Sequence, residues 1–125
     1  DDAAAARRLG EDYVRYMLAV VEFYEGQADK VVGRAIPQIL LIHANALNAD
    51  WLGPLLDDLA ARGYTFISLA DALADPVYAR PVDGYTGKGG ISWLHRWAIT
   101  DGLDRASFLG EPEVPAWVEA QREGD

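Results

Sequence analysis

The residue best placed to do chemistry is His43. It stands where an unbroken apolar run, Ile39-Leu40-Leu41-Ile42, gives way to Ala44-Asn45-Ala46. Imidazole is the side chain that exchanges a proton nearest neutral pH, which makes a histidine at such a point a candidate general acid or base. A run of Ile and Leu without polar interruption has the pattern of a strand buried on both faces. In open α/β folds, ligands gather outside the carboxyl ends of such strands. Asn45 and Asn48 flank this point and suit either of two tasks, hydrogen bonding to a substrate or capping the helix that follows. His43 likewise has two readings: a proton donor at a site, or a core histidine satisfied by backbone carbonyls.

The second histidine, His95, lies between Trp93 and Trp97. That spacing allows stacking on sugar rings or support of a site, and it equally describes an aromatic helix packed under a long loop. The four tryptophans, Trp51, Trp93, Trp97 and Trp117, invite the same choice between a sugar platform and ordinary core or interface packing. Asp57, Asp58, Asp71, Glu111, Glu113 and Glu119 read as solvated faces. The net charge of −9 argues against nucleic acid or an anionic membrane as the main partner, since both call for clustered Lys and Arg. With no cysteine, disulfides and thiolate metal sites are excluded. No apolar run reaches the length of a membrane span.

The elements that must position these residues follow from periodicity. Leu9, Tyr13, Met17, Val20, Val21 and Tyr24 recur at three- and four-residue spacing, which predicts a helix from Asp2 to about Val32, with Gly10 and Gly26 as possible breaks and Gly33 as the stop. After the His43 strand, Asn48 or Asp50 caps a second helix whose leucine stripe is Leu52, Leu55, Leu56 and Leu59. Pro54 is tolerable there if it lies near the first turn. Gly63 ends that helix. Tyr64-Thr65-Phe66-Ile67 reads as a second strand, parallel to the first, and Ser68 caps a short helix from Leu69 to Ala74. Beyond Val77 come a Gly-rich loop, a short aromatic helix over Ser92–Thr100, and a weak terminal helix over Glu113–Glu123. Two strands cannot cover their own faces and edges, so this unit wants neighbours. The chain opens Asp1-Asp2-Ala3 and carries its one methionine at Met17, inside a helical pattern, which leads us to expect a segment of a longer protein.

Several of these residues together resemble a known family. The Leu41-Ile42-His43 strand end, the helix closing in Arg62-Gly63-Tyr64, and the following Phe66-Ile67-Ser68-Leu69-Ala70-Asp71-Ala72-Leu73 look like the C-terminal end of a polysaccharide deacetylase, carbohydrate esterase family four. The likeness covers about Ile36 to Tyr78. The tail Gly89-Gly90-Ile91-Ser92-Trp93-Leu94-His95-Arg96-Trp97 looks like the extension of a bacterial subgroup.

The resemblance implies an α/β fold: the C-terminal part of a distorted (β/α) barrel, with a long N-terminal helix, a β-α-β-α unit and a loop-rich helical tail. Residues 1–79 would belong to the barrel and residues 80–125 to the tail. It also implies metal-dependent hydrolysis of acetyl groups from acetylated sugars. A divalent metal, usually zinc, polarises the carbonyl and activates water in such hydrolases. His43 takes the general-acid role, Ile42 lines the acetyl-methyl pocket, and Asn45, Trp93 and His95 are the candidate substrate contacts. The family's aspartate pair in its strand-end context and its His-x-x-x-His motif are both missing. The expectation is therefore that this segment binds no metal, depends on the upstream part of the same protein, and is inactive alone. The resemblance favours a periplasmic or secreted location. The alternative is a non-enzymatic segment that binds a partner or a glycan, with His43 structural.

Overall fold

The structure is a computed structural model, and it describes residues 2–122. Asp2–Val31 is one uninterrupted helix, α1, as its periodicity predicts. Gly33, with φ of 81°, ends it in the left-handed region that glycine enters freely. The Val32 and Gly33 amides donate back to the Ala28 carbonyl at 2.8 and 3.1 Å. Neither interior glycine breaks the helix, and Gly10 shows why one is there. A Cβ at Gly10 would fall 1.7 Å from the Trp51 ring, so the missing side chain is the seat of that indole. Gly26 has open space around its Cα.

Helix α2, Ala46–Ala61, begins one turn earlier than its Asn48 or Asp50 caps would place it. Asn45 is the cap, its side chain accepting from the Asn48 amide at 2.9 Å. This start puts Pro54 well inside the helix, where its lack of an N–H removes one ladder bond, and not near the first turn as the sequence suggested. Leu55 and Leu59, which directly follow the proline turn, are buried against Val14 and Leu18 of α1, and their packing holds the helix past the gap. Gly63, with φ of 94°, closes it, and the Tyr64 amide reaches back to the Leu59 carbonyl at 3.1 Å. Helix α3 (Leu69–Leu73) has Ser68 as its cap, and helix α4 (Trp93–Thr100) has Ser92, both as their sequences indicate. Single 3₁₀ turns occupy Pro76–Ala79 and Arg105–Phe108, and helix α5 spans Ala116–Arg122, starting later than Glu113; Glu123 lies outside the described residues.

The predicted β-α-β-α unit and (β/α) barrel are not what the chain forms. Among the described residues there is no strand and no sheet. Residues 35–44 and 64–67 carry no helical assignment, and in neither stretch do the apolar residues pair with the other. The physical reason is that a ladder needs two partners in register, whereas each helix closes its own hydrogen bonds. Side-chain pattern alone identified an apolar extended segment; it did not supply the neighbour that makes such a segment a strand. Leu41 is left 85 % exposed and Phe66 58 %.

The contacts divide the chain into two units. The first takes residues 2–21, 40–66 and 112–122, and its core is Val14 and Leu18 of α1 against Leu55 and Leu59 of α2, with Tyr13, Met17, Trp51 and Tyr64 around them. Burying each of those leucines contributes about 1.5–3 kcal/mol. Trp117 is tied to the same unit: its indole N–H donates to Asp12 at 2.8 Å, and Arg8 lies over its ring. The second unit takes Glu22–Ile39 and Ile67–Glu111, around Ala28, Val77, Leu94 and Trp97. There Arg34 grips Asp75 with two hydrogen bonds, at 2.9 and 2.6 Å, while Asp75 also accepts from the Val77 amide. Those bonds, the guanidinium first, hold the Asp75 carboxyl down to about 2. Among the described residues no helix is long and apolar enough to cross a membrane.

The two interior glycines of α1 give a direct test of this packing. Gly26→Ala should raise stability by about 0.5–1 kcal/mol, because alanine is the better helix former and meets no neighbour. Gly10→Ala should lower it by about 1–3 kcal/mol as the Trp51 ring is displaced. Urea denaturation of both variants against the parent checks the opposite signs.

Candidate functional site

His43 sits just ahead of the cap of α2, and its main chain is held by a relay from α1. The Tyr13 hydroxyl donates to the Asn48 side-chain oxygen, and Asn48 Nδ2 donates to the His43 carbonyl at 2.7 Å. Burial raises the Tyr13 phenol above its ordinary value, which keeps it in the donating form. Asn45 Oδ1, meanwhile, caps the helix through the Asn48 amide. Asn48 therefore spends both ends of its side-chain amide and its backbone N–H on fixing this corner. The arrangement follows from local sequence: an Asn cap three residues before a second Asn, on a helix whose leucine stripe packs on α1.

Against that fixed main chain, the imidazole itself is free. His43 is exposed, and among the described residues nothing hydrogen-bonds to its ring. It lies on the lip of an open, mostly apolar concavity whose lining includes Ile42, Asn45, Asn48 and Leu52. This is not the setting of a core histidine satisfied by carbonyls. It is a proton-exchanging group presented to solvent beside an apolar surface. Ile42 and Asn45, the other two candidates from this stretch, share the concavity; Asn45 has its oxygen committed to the cap and its NH₂ group without a protein partner.

Trp93 and His95 belong to the second unit and have opposite fates. Trp93 is 44 % exposed, with the Arg96 guanidinium 4.9 Å from its ring centroid and 5.0 Å from that of Tyr85. His95 is buried, enclosed by Phe108 at 5.0 Å, Tyr24 at 5.6 Å and Phe23 at 6.2 Å between ring centroids. The His95 ring packs among these three aromatic side chains. Of the remaining tryptophans, Trp97 is core, Trp51 covers Gly10, and Trp117 bonds Asp12.

Sequence reasoning passed over Tyr13 as part of this corner. It fell on the apolar face of α1, thirty-five positions from its partner Asn48, and only the docking of α2 brings the two together. The resemblance's metal finds no counterpart either: among the described residues no three His, Asp or Glu side chains are grouped to hold an ion. Asp57 and Asp58 are both exposed on α2, as their leucine-striped context implied. No family model, no curated protein and no solved structure matches the chain.

Two predictions follow from these surroundings. Asn48→Ala strands the Tyr13 hydroxyl and the His43 carbonyl together, and should destabilise the first unit by about 1–3 kcal/mol, more than Tyr13→Phe, which removes the donor along with its need; chemical denaturation of the two variants ranks them. For His95, burial holds the imidazole below its ordinary value, with Glu111 acting weakly in the other direction, and its Nε2 has no partner among the described residues. The folded chain thus favours neutral His95, and the unfolded chain takes up the proton first as pH drops below about 6.5. Stability should be level above that pH and fall as the pH is lowered through it toward the folded value. Melting temperatures measured from pH 8 to 5 should show this decline, and His95→Phe should flatten it.

Proposed function

We propose that this chain is the C-terminal segment of a metal-dependent polysaccharide deacetylase and that His43 is its general acid. The observation that carries the reading is the exposed, unbonded imidazole of His43 on the lip of an apolar concavity, with its main chain fixed by Asn48. A group that must give up a proton once per turnover needs its ring free and its backbone held, and a purely structural histidine needs neither. Support also comes from the order of elements that resembles this family: the apolar run ending in His43, the helix closing at Arg62-Gly63-Tyr64, and the Ser68-capped helix.

In this reading, water adds to the acetyl carbonyl carbon while its proton passes to a base outside this segment. His43 then donates its proton to the departing sugar nitrogen or oxygen as the acyl bond breaks, releasing acetate. The residues present do not fit a metal site, so the donors that would hold the divalent ion, together with the base, lie on the upstream part of the polypeptide. By itself the segment hydrolyses nothing. Ile42 lines the pocket for the acetyl methyl and the Asn45 NH₂ group is left for a substrate oxygen, while the exposed ring of Trp93 belongs to the second unit.

Trp93 also favours a second reading, in which the segment binds glycan or a partner chain without catalysis. The two are separated by His43→Ala in the complete protein. As general acid, its loss should lower kcat by about 10²–10⁴-fold, with the circular dichroism spectrum unchanged. An unaltered rate of acetate release would sink the acid assignment and leave the binding role.

A further inference from the structure

We propose that Arg96, held over the rings of Trp93 and Tyr85, is a binding site for the carboxylate of an acidic glycan, one built from uronic acid residues. The inference rests on the second reading just given, in which Trp93 meets a glycan, and it adds the charged group that such a glycan must carry. All the residues concerned lie in the second unit.

Two arginines are half-buried among the described residues, Arg80 and Arg96. Arg80 is neutralised within the chain: its guanidinium pairs with Asp101 and reaches the Val31 carbonyl. Arg96 is not. Its Nε donates to the Ile91 carbonyl at 3.4 Å, and among the described residues no carboxylate pairs with it. This is in a chain with 20 acidic residues against 11 basic ones, where a partner would be easy to supply. Nη1 and Nη2 keep four of the five N–H donors for something else. The guanidinium carbon lies 4.9 Å from the Trp93 ring centroid and 5.0 Å from that of Tyr85. The loop that brings Tyr85 there is fastened to α4. The Gly84 amide donates to Thr100 Oγ1 at 3.2 Å, and that hydroxyl donates to the Arg96 carbonyl at 2.8 Å. The Tyr85 hydroxyl donates to the Gly89 carbonyl at 2.9 Å. A Cβ at Gly87 would come 2.5 Å from that hydroxyl, so the loop closes on Tyr85 only with glycine there. A guanidinium held over two rings in this way has given up much of its freedom before a ligand arrives.

The chemistry of the group selects the occupant. Parallel N–H donors on a planar cation match the two oxygens of a carboxylate. Nucleic acid is a poor occupant, because its backbone calls for several clustered cations. Lys88 is the one other basic residue from 84 to 100, and the net charge is −9. An acidic peptide would fill the fork but leave Trp93 unused. That ring is 44 % exposed and offers apolar surface on which the C–H face of a sugar can lie. A glycan bearing carboxylates engages both groups, with one sugar on the indole and the carboxylate of that sugar or its neighbour on the fork. The charge of the chain repels anions at long range, so affinity comes from the short-range, bidentate contact. The geometry of the fork therefore matters even where its charge is kept.

Titration calorimetry of the 125-residue chain with trigalacturonic acid, and with the same trisaccharide as its methyl ester, tests this without any variant. The acid should bind, and the ester, which keeps the sugar rings but loses the negative charge, should bind at least about tenfold more weakly. Arg96→Lys keeps the charge and loses the fork; it and Trp93→Ala should each weaken binding of the acid by about the same factor, with circular dichroism spectra unchanged. Equal binding of acid and ester, lost in Trp93→Ala, overturns the carboxylate site and leaves the glycan-binding reading standing. Undiminished binding of the acid by Arg96→Lys overturns the role of the fork. Arg96-dependent binding of hexaglutamate without binding of trigalacturonic acid assigns the fork to an acidic polypeptide and overturns the glycan. Binding of none of the three probes overturns the site and the glycan-binding reading together.

Discussion

The packing of Leu55 and Leu59 of α2 against Val14 and Leu18 of α1 is the constraint on which the His43 corner depends. It fixes the rotation of α2 about its own axis, and with it the direction in which the first turn of that helix faces. Because Asn48 lies two turns before Leu55, it is carried under the Tyr13 hydroxyl, and the His43 carbonyl is pinned in consequence. The seat of Trp51 on Gly10 sets how closely the two helices approach. A side chain at Gly10 would move the indole, and the indole stands only three residues beyond Asn48. Nonpolar packing, which has no directional preference of its own, is thereby converted into a directed hydrogen-bond relay that ends at the His43 carbonyl.

The opposite condition holds along residues 40–42. There the chain is extended and apolar, yet it forms no ladder, so it gives up the hydrogen bonds a strand would make and the burial its side chains would gain. The fixed corner and this exposed run adjoin each other through Ile42 and His43.

Helix ends were legible in the sequence because their signals are local. Ser68 and Ser92 each accept from an amide three residues on, and Gly33 and Gly63 each adopt the positive φ that ends a helix. Where two local signals competed, the residue nearest the apolar run won: Asn45 caps α2, although Asn48 and Asp50 have the same chemistry, because the leucine stripe extends far enough to continue the helix back to Ala46. Pro54 could not overrule that stripe. The strands were not legible in the same way. A pattern of consecutive Ile and Leu records what a segment would bury, and pairing is a property of two segments at a distance in the chain. Trp93 and Trp97 make the same point at the level of single residues: they share a helix and a residue type, and one is exposed while the other is core, a difference set by which face of α4 meets Ala28 and Val77.

Burial alone separates the two histidines chemically. His95 lies among three aromatic rings with Nε2 unpartnered, an environment that can hold imidazole but has little to offer imidazolium. A group that cannot readily accept a proton cannot deliver one, so His95 is unsuited to acid catalysis however suggestive its neighbouring tryptophans. His43 is exposed, and the apolar wall of Ile42 and Leu52 beside it gives a substrate somewhere to lie that water occupies poorly. What the corner lacks is a third group to orient the imidazole: its main chain is fixed, while its ring is not.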